Sequence, residues 1–399
     1  MADHPAAGAM LAPEKIPPAT HLVYFVHDLG DPAVARRLGM LRPYLASAVI
    51  IGFHRTAPAP TQIAGWPAVT LGCTKDGRLG WRAFSVLRNL AVVGRLRRYF
   101  AGANFVMARQ LEMLALAVAA RHRYAKSASL AYECLDIHRV MIGPSPLSRA
   151  LRAAEARLLR STDVVIVSSP AFVHAYLRPA HGAMLPPVCL IENKVLRSEL
   201  NSWPKNQLRP PGPPWRIGWH GVLRCRRSLE LLIDLTRQLP GHVVVELRGR
   251  PARSVIPDFD SMLAAAPGVS FLGAYDRQTE LGHIYGSVHF VWAIDFYEAG
   301  LNSAWLLPNR LYEGGLHGAI PIASAAVETG RWLARQNTGA LFHEPLAAEL
   351  VRYFSSLKTE TYAAAVASLA AVPVARWVDD GQDGERLMAF VDRRAIIDA

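Results

Sequence analysis

Pro308-Asn-Arg-Leu-Tyr-Glu-Gly-Gly-Leu-His-Gly-Ala-Ile-Pro-Ile322 says most about the architecture of this 399-residue chain. Proline suits the first turn of a helix, because its ring presets φ and its missing N–H has no partner there in any case. The spacing predicts a helix over 309–317, with Glu313 about one and a half turns in. Gly318 ends it, and the apolar run Ala319–Ala323 reads as a strand. A helix feeding a short, continuously apolar strand is half of a βαβ unit, and in such units ligands collect at the carboxyl ends of the strands. A carboxylate in that position can accept hydrogen bonds from two neighbouring sugar hydroxyls. The plainer alternative is a surface glutamate on a helix.

The same pattern extends in both directions. Strands are expected at Leu22–Val26, Ala48–Phe53, Ala68–Leu71, Asn104–Met107, Leu130–Cys134, Val164–Val167 and Val188–Ile191. Further on they are expected at Arg216–Trp219, Val243–Leu247, Val269–Leu272, Val288–Trp292, Ile320–Ala323 and Ala340–Phe342. Helical patterns separate them, and the runs are continuous rather than alternating, as in parallel sheets covered on both faces. Between the halves, Trp203–Pro214 holds five prolines in twelve residues and reads as a linker. The fold class is therefore α/β, with two Rossmann-like doubly wound domains facing a central cleft. The expected division is a loose tail over 1–20, a first domain over 21–202, the linker 203–214, a second domain over 215–380 and a helix over 381–399 packing back towards the first.

Composition narrows the class. With 51% hydrophobic and 19% charged residues the chain is not disordered. Its four cysteines are dispersed, which excludes a CxxC zinc pattern and a disulfide framework and suggests a reducing, cytoplasmic setting. The amino-terminal residues lack the basic and apolar regions of a signal peptide, and no apolar run approaches the ~18–20 residues of a spanning helix. The net charge of +12 is unevenly placed: residues 1–203 hold 24 Lys+Arg against 12 Asp+Glu, while residues 204–399 hold 20 of each. Of those 24, 20 are arginines, whose planar forks suit phosphate-bearing partners. A general bias towards Arg accounts for that ratio but not for the asymmetry between halves.

Four further segments carry candidate chemistry. Tyr24–Asp31 runs from strand to helix, with Gly30 available for a tight turn, Asp31 as an N-cap, and His27 and Asp28 either facing a ligand or serving as ordinary turn residues. Tyr132–Arg139 gathers Asp136 and His138 at a strand end, where a carboxylate and an imidazole suit general base work, though Asp136 can also cap a turn or orient His138. Arg109 ends another strand and is either acceptor-facing or solvated. Ile217–Ser228 reads as strand, glycine-rich loop and helix start; Gly221 lets backbone approach an anion, and Arg224, Arg226 and Arg227 add charge at the helix dipole, unless this is only a solvated basic helix start. In Trp81–Phe100, five arginines among apolar residues either touch an anionic membrane surface or snorkel from a helix packed on the sheet.

The segment 308–321 is similar to the P-x-K-x-x-E-x-x-x-x-G-x-P motif of GT-B glycosyltransferases, in the set that includes glycosyltransferase family 4 and bacterial exopolysaccharide transferases. Gly218, Gly221 and Arg224 resemble the family's G-x-x-G-x-x-R start of the second domain. Glu155 with Ser161–Ser169, and Ile191-Glu-Asn-Lys194, resemble two further steps in the same order. The resemblance covers most of residues 20–395. It implies a nucleotide-diphosphate sugar in the second domain, with Glu313 on ribose or sugar hydroxyls, Arg224 and Arg227 on the diphosphate, and Asn309 and Arg310 contributing from the motif itself. It also implies no metal and no cofactor beyond the nucleotide-sugar co-substrate, an acceptor on the first domain and, for an inverting reaction as opposed to a retaining one, Asp136 as the base. One departure stands out: Leu306 occupies the place of the family's first glutamate, and Asn302 and Ser303 are expected to take over part of that loop.

The expected function is a glycosyltransferase of bacterial exopolysaccharide or cell-surface glycan synthesis, using a lipid-linked or polysaccharide acceptor at an anionic inner leaflet. A nucleotide-sugar epimerase of the same fold, or a basic protein that is not an enzyme, would fit the same charge. No helix-turn-helix, zinc-finger or RRM signature points to nucleic acid.

Overall fold

The computed structural model describes residues 20–55, 57–74, 93–200 and 209–397. The expectations for the tail, for residues 81–92 with Arg82 and Arg88, and for the linker over 203–208 lie outside the described residues. The first sheet holds β1 (Thr20–Val26), β2 (Leu45–His54), β3 (Gln62–Ile63), β4 (Trp66–Cys73), β5 (Phe105–Arg109), β6 (Ser129–Glu133), β7 (Val164–Val167) and β8 (Val188–Leu190). Their spatial order is β3-β4-β2-β1-β5-β6-β7-β8, parallel except for the β3–β4 hairpin. A short strand β9 (Val195–Leu196) follows. The second sheet holds β10 (Trp215–Leu223), β11 (Val243–Pro251), β12 (Val269–Phe271), β13 (Phe290–Trp292), β14 (Ile320–Ser324) and β15 (Ala340–Phe342), in the order β12-β11-β10-β13-β14-β15. Both sheets are doubly wound, so each has a switch point: between β1 and β5 in the first, between β10 and β13 in the second. Ligand crevices form outside the carboxyl ends of strands at such points.

Helices cover both faces. Those used below are α1 (Pro32–Leu41), α2 (Leu111–Tyr124), α3 (Arg226–Gln238), α4 (Asn309–Leu316) and α5 (Gln382–Ile397). Asp31 caps α1 by accepting the Ala33 N–H at 2.9 Å, and Pro32 takes the first helical position. The strands between these layers are buried on both sides, Tyr24, Phe25 and Val26 of β1 completely. The chain then returns on itself. Strand β16 (Val378–Asp379) pairs in parallel with β9, and α5 inserts Leu387, Met388 and Val391 into the first domain's core beside β1, β5 and β7.

Two local readings are corrected. The segment after Trp219 is strand rather than glycine-rich loop: β10 runs to Leu223 and β11 to Pro251, paired through Gly221 and Gly249. These two glycines have φ of +114° and +121°, and a Cβ on Gly249 would lie 1.9 Å from the Gly221 carbonyl oxygen. The glycines therefore let two strands approach, which the sequence pattern alone does not distinguish from an anion loop. A helix at Thr359–Ala370 was not anticipated, because its alanine-rich run gives little apolar contrast.

Candidate active site

At the switch point of the second sheet, three arginines come from three elements. Arg224 leaves the end of β10 and lies 4.6 Å above the Tyr297 ring, with Asp295 at 4.0 Å. Arg248 projects from β11 and Arg310 from the first turn of α4. Between the latter two sits His220, 2% exposed, its ring 4.8 Å from that of Tyr285. Burial, with Arg248 and Arg310 adding repulsion, pushes the His220 pKa down to about 3, so the imidazole is neutral. Neither His220 nitrogen, nor Nε of Arg248 or Arg310, has a hydrogen-bond partner among the described residues. Helix α3 begins at the same end, and Cys225 Sγ accepts the N–H groups of Ser228 at 3.4 Å and of Phe296 at 3.2 Å, tying the helix start to the loop after β13. Arg248 and Arg310 thus present unpartnered Nε donors, and Arg224 is held only loosely by Asp295, a set of charges suited to a diphosphate.

Glu313 lies at the inner edge of this cluster but is 4% exposed. Its Oε1 accepts from Arg277 Nε at 3.0 Å and its Oε2 from the Tyr285 hydroxyl at 3.1 Å, while Arg36 of α1 approaches Oε1 at 4.0 Å. Arg277 also bonds Glu199, at 2.5 and 3.2 Å. The expectation of a carboxylate open to two hydroxyls is thus corrected: Glu313 is buried, with one oxygen held by Arg277 and the other by Tyr285. Asn309 accepts from Arg36 Nη1 at 2.9 Å, across the domain seam.

On the first-domain wall, Asp136 and His138 follow β6 and are exposed to the cleft. His138 Nδ1 accepts the Val140 N–H at 3.3 Å, capping the next turn. Desolvation in the cleft and the negative charge of Glu298 raise the Asp136 pKa, against the opposing pull of Arg224 and His138. A carboxylate raised in this way is suited to taking a proton.

Other expected site residues are placed elsewhere. Arg109 is not acceptor-facing: it is 2% exposed, and its Nε lies 2.7 Å from Glu133 Oε2, its Nη1 2.8 Å from Asp31. Arg37 holds the other Glu133 oxygen at 2.7 Å and the Tyr24 hydroxyl donates to Glu133. Burial alone would raise the Glu133 pKa, but the two guanidiniums outweigh it and hold it at about 2. Gly30 does not adopt a left-handed conformation; the Asp28 carboxylate closes that turn by accepting its N–H at 3.0 Å, and it also pairs with Arg55 at 3.2 Å. Half-buried His27 stands beside them, its pKa lowered by burial. Arg227 packs over Phe296 at 4.1 Å and pairs with Glu344 at 2.7 Å. Ser303 Oγ accepts the Glu298 N–H at 2.8 Å, and the Asn302 amide is engaged by Ile137 and Glu298. Arg36, Arg248 and Arg277 carry no motif that marks them in the sequence. Their only sequence signal is position: Arg277 follows strand β12 as Arg224 follows β10, and Arg248 lies within β11 opposite His220.

No family model matches the sequence. The succinoglycan biosynthesis protein ExoL of Rhizobium meliloti (strain 1021) is 42% identical over 371 residues, covering 92% of this chain and 92% of the relative. Among solved structures, Anabaena HepE in complex with UDP-glucose matches with a TM-score of 0.68 at 15% identity, covering 94% of this chain and 99% of HepE. Sucrose-phosphate synthase from Thermosynechococcus elongatus matches with a TM-score of 0.68 at 16% identity, covering 95% and 100%. The structural matches give the fold, the two-domain GT-B architecture of the glycosyltransferases, and the sequence match gives the kinship: this chain belongs to the family of the succinoglycan biosynthesis protein ExoL.

Proposed function

We propose that this GT-B protein is a glycosyltransferase of exopolysaccharide synthesis, moving a sugar from a nucleotide-diphosphate sugar to a lipid-linked or polysaccharide acceptor. One observation supports the reading most: Arg248 and Arg310 flank His220 with their Nε groups unpartnered among the described residues, while Arg224, at the end of β10, acts on Asp136 of the first domain. In this reading the arginines and the start of α3 take up the negative charge that develops as the bond between sugar and diphosphate breaks. The Asp136 carboxylate accepts the proton of the attacking acceptor hydroxyl as the new glycosidic bond forms. Glu313 receives ribose hydroxyls once Arg277 has moved. Basic side chains do the work a metal would otherwise do, so EDTA is expected to leave turnover unchanged.

The membrane side of the proposal rests on the first domain's charge. Residues Val93–Phe100 form a 3₁₀ turn that buries Val93, Leu96 and Phe100 and turns Arg95, Arg97 and Arg98 outward. Arg123 and Lys126, at the end of α2, are exposed on the same element pair. Among the described residues no helix is long and apolar enough to cross a membrane. Binding to the cytoplasmic leaflet through this face predicts co-sedimentation with vesicles containing anionic phosphatidylglycerol and not with neutral ones.

The deciding experiment is a thermal-shift panel of UDP-, GDP-, dTDP- and ADP-sugars. One should raise the melting temperature by mass action. Arg224→Ala and Glu313→Ala should both lose that shift and the associated transfer while remaining folded. Absence of any shift in the wild type, or normal turnover in both variants, would overturn the donor assignment.

A further inference from the structure

Asn302 lies in the second domain, in the loop that stands where the family's first glutamate is missing, and its side chain is 5% exposed. Its Oδ1 accepts the Ile137 N–H at 3.0 Å and its Nδ2 donates to the Ile137 carbonyl at 2.9 Å. The same Nδ2 donates to Glu298 Oε2 at 2.5 Å. Only this orientation of the amide satisfies all three contacts, since a flipped amide would face the carboxylate and the carbonyl with its oxygen. Ile137 is itself buried, and its chain neighbours on either side are Asp136 and His138, both exposed to the cleft. Three residues further on, Trp305 meets Phe172 of the first domain edge-to-face at 6.3 Å. The donor-side loop is therefore fastened to the acceptor-side wall at the point where the base emerges.

We infer that Asn302 is a positioning residue, a two-pronged clasp on the Ile137 backbone that holds the Asp136–His138 loop and the Glu298 loop in one frame, so that base and donor sugar keep their relative placement. The inference rests on the transferase reading for its consequence in turnover, but not for the clasp itself. This asparagine bonds both the N–H and the carbonyl of one residue, Ile137, and a carboxylate on its own domain. The raised pKa of Asp136 accords with Glu298 being held beside it. Small misplacement of a reacting pair is costly in rate, so a loosened clasp should act on turnover more than on donor binding.

The test compares Asn302→Ala and Asn302→Asp in the full chain. By amide hydrogen exchange, the Ile137 N–H should exchange at least tenfold faster in Asn302→Ala, with β6 protection unchanged. Asn302→Asp keeps the acceptor oxygen and should leave that amide protected, while losing the Ile137 carbonyl and repelling Glu298. With whichever nucleotide-sugar shifts the wild-type melting temperature, kcat for nucleotide release should fall at least tenfold in both variants, with KM for the donor within threefold. Equal Ile137 exchange in wild type and Asn302→Ala, exchange that rises throughout the domain, or a loss confined to KM would overturn the inference. If no nucleotide-sugar shifts the wild type, the transferase reading fails and the exchange data still decide whether the clasp exists.

Discussion

Glu133 is the most consequential buried charge in the first domain, and its neutralisation can be worked through. It is fully buried between Arg37 and Arg109, with the Tyr24 hydroxyl as a third donor. The two guanidiniums overcome burial and bring its pKa from 4.5 to about 2. At about 1.4 kcal/mol per tenfold change in proton affinity, that corresponds to about 3 kcal/mol of stability at neutral pH. Removing one partner of a buried ion pair gives a similar figure by another route, about 3–5 kcal/mol. Because the folded pKa is depressed, the stabilisation is complete above pH 4.5 and is lost as pH falls towards 2. Glu133→Gln keeps the shape and removes the charge. Urea unfolding of wild type and variant, followed by amide protection in β5 and β6, should differ by about 3 kcal/mol at pH 7, and by less than half of that at pH 3. Arg109→Met should destabilise the same strands. A gap under 1 kcal/mol at pH 7, or one that persists at pH 3, would refute the ionic account; a stable Arg109→Met protein that fails only in acceptor use would restore Arg109 to the acceptor site.

Asp136→Asn should lower turnover by about 10²–10⁴ while keeping the donor's thermal shift. Since a base must be deprotonated to act, turnover in the wild type should fall as pH drops through the raised Asp136 pKa, and Glu298→Gln should move that acid limb to lower pH. Gly249→Ala places a Cβ against the Gly221 carbonyl at a φ of +121°, so its cost should exceed about 3 kcal/mol in second-domain stability, measured by urea unfolding. His220→Phe removes a neutral imidazole with no hydrogen bonds among the described residues; its folded pKa of about 3 lies below the ordinary 6.5, so the unfolded chain binds the extra proton between these values. The variant should lose less stability than wild type as pH is lowered from 6.5 towards 4.

The architecture was legible because its strands are buried on both faces. Val164–Val167 reads as an uninterrupted apolar run and is β7 with the same limits, and the helix expected at 309–317 is observed at Asn309–Leu316. Single-residue chemistry was less legible, for reasons of register. Arg109 ends a strand, as a ligand-facing residue would, but β5 pairs with β6 so that Arg109 stands directly opposite Glu133, 24 positions away in sequence. Periodicity does not encode which strand becomes a neighbour. Asn302 was noticed as part of an unusual loop, but its partner is a backbone peptide, which leaves no mark in the sequence. Arg248 and Arg277 carry no motif and acquire meaning only when β11 and β12 are seen beside β10.

The return of the chain through β16 and α5 bears on biosynthesis. The first domain's core contains Leu387, Met388 and Val391. A ribosome that has released residues 20–200 has therefore not yet supplied all of that core, and the open face beside β1, β5 and β7 must wait until the second domain has been translated. The nascent first domain is expected to depend on chaperones during that interval and to be insoluble when expressed alone. A permuted chain that begins with the last helix would supply the missing layer first and should relieve that dependence.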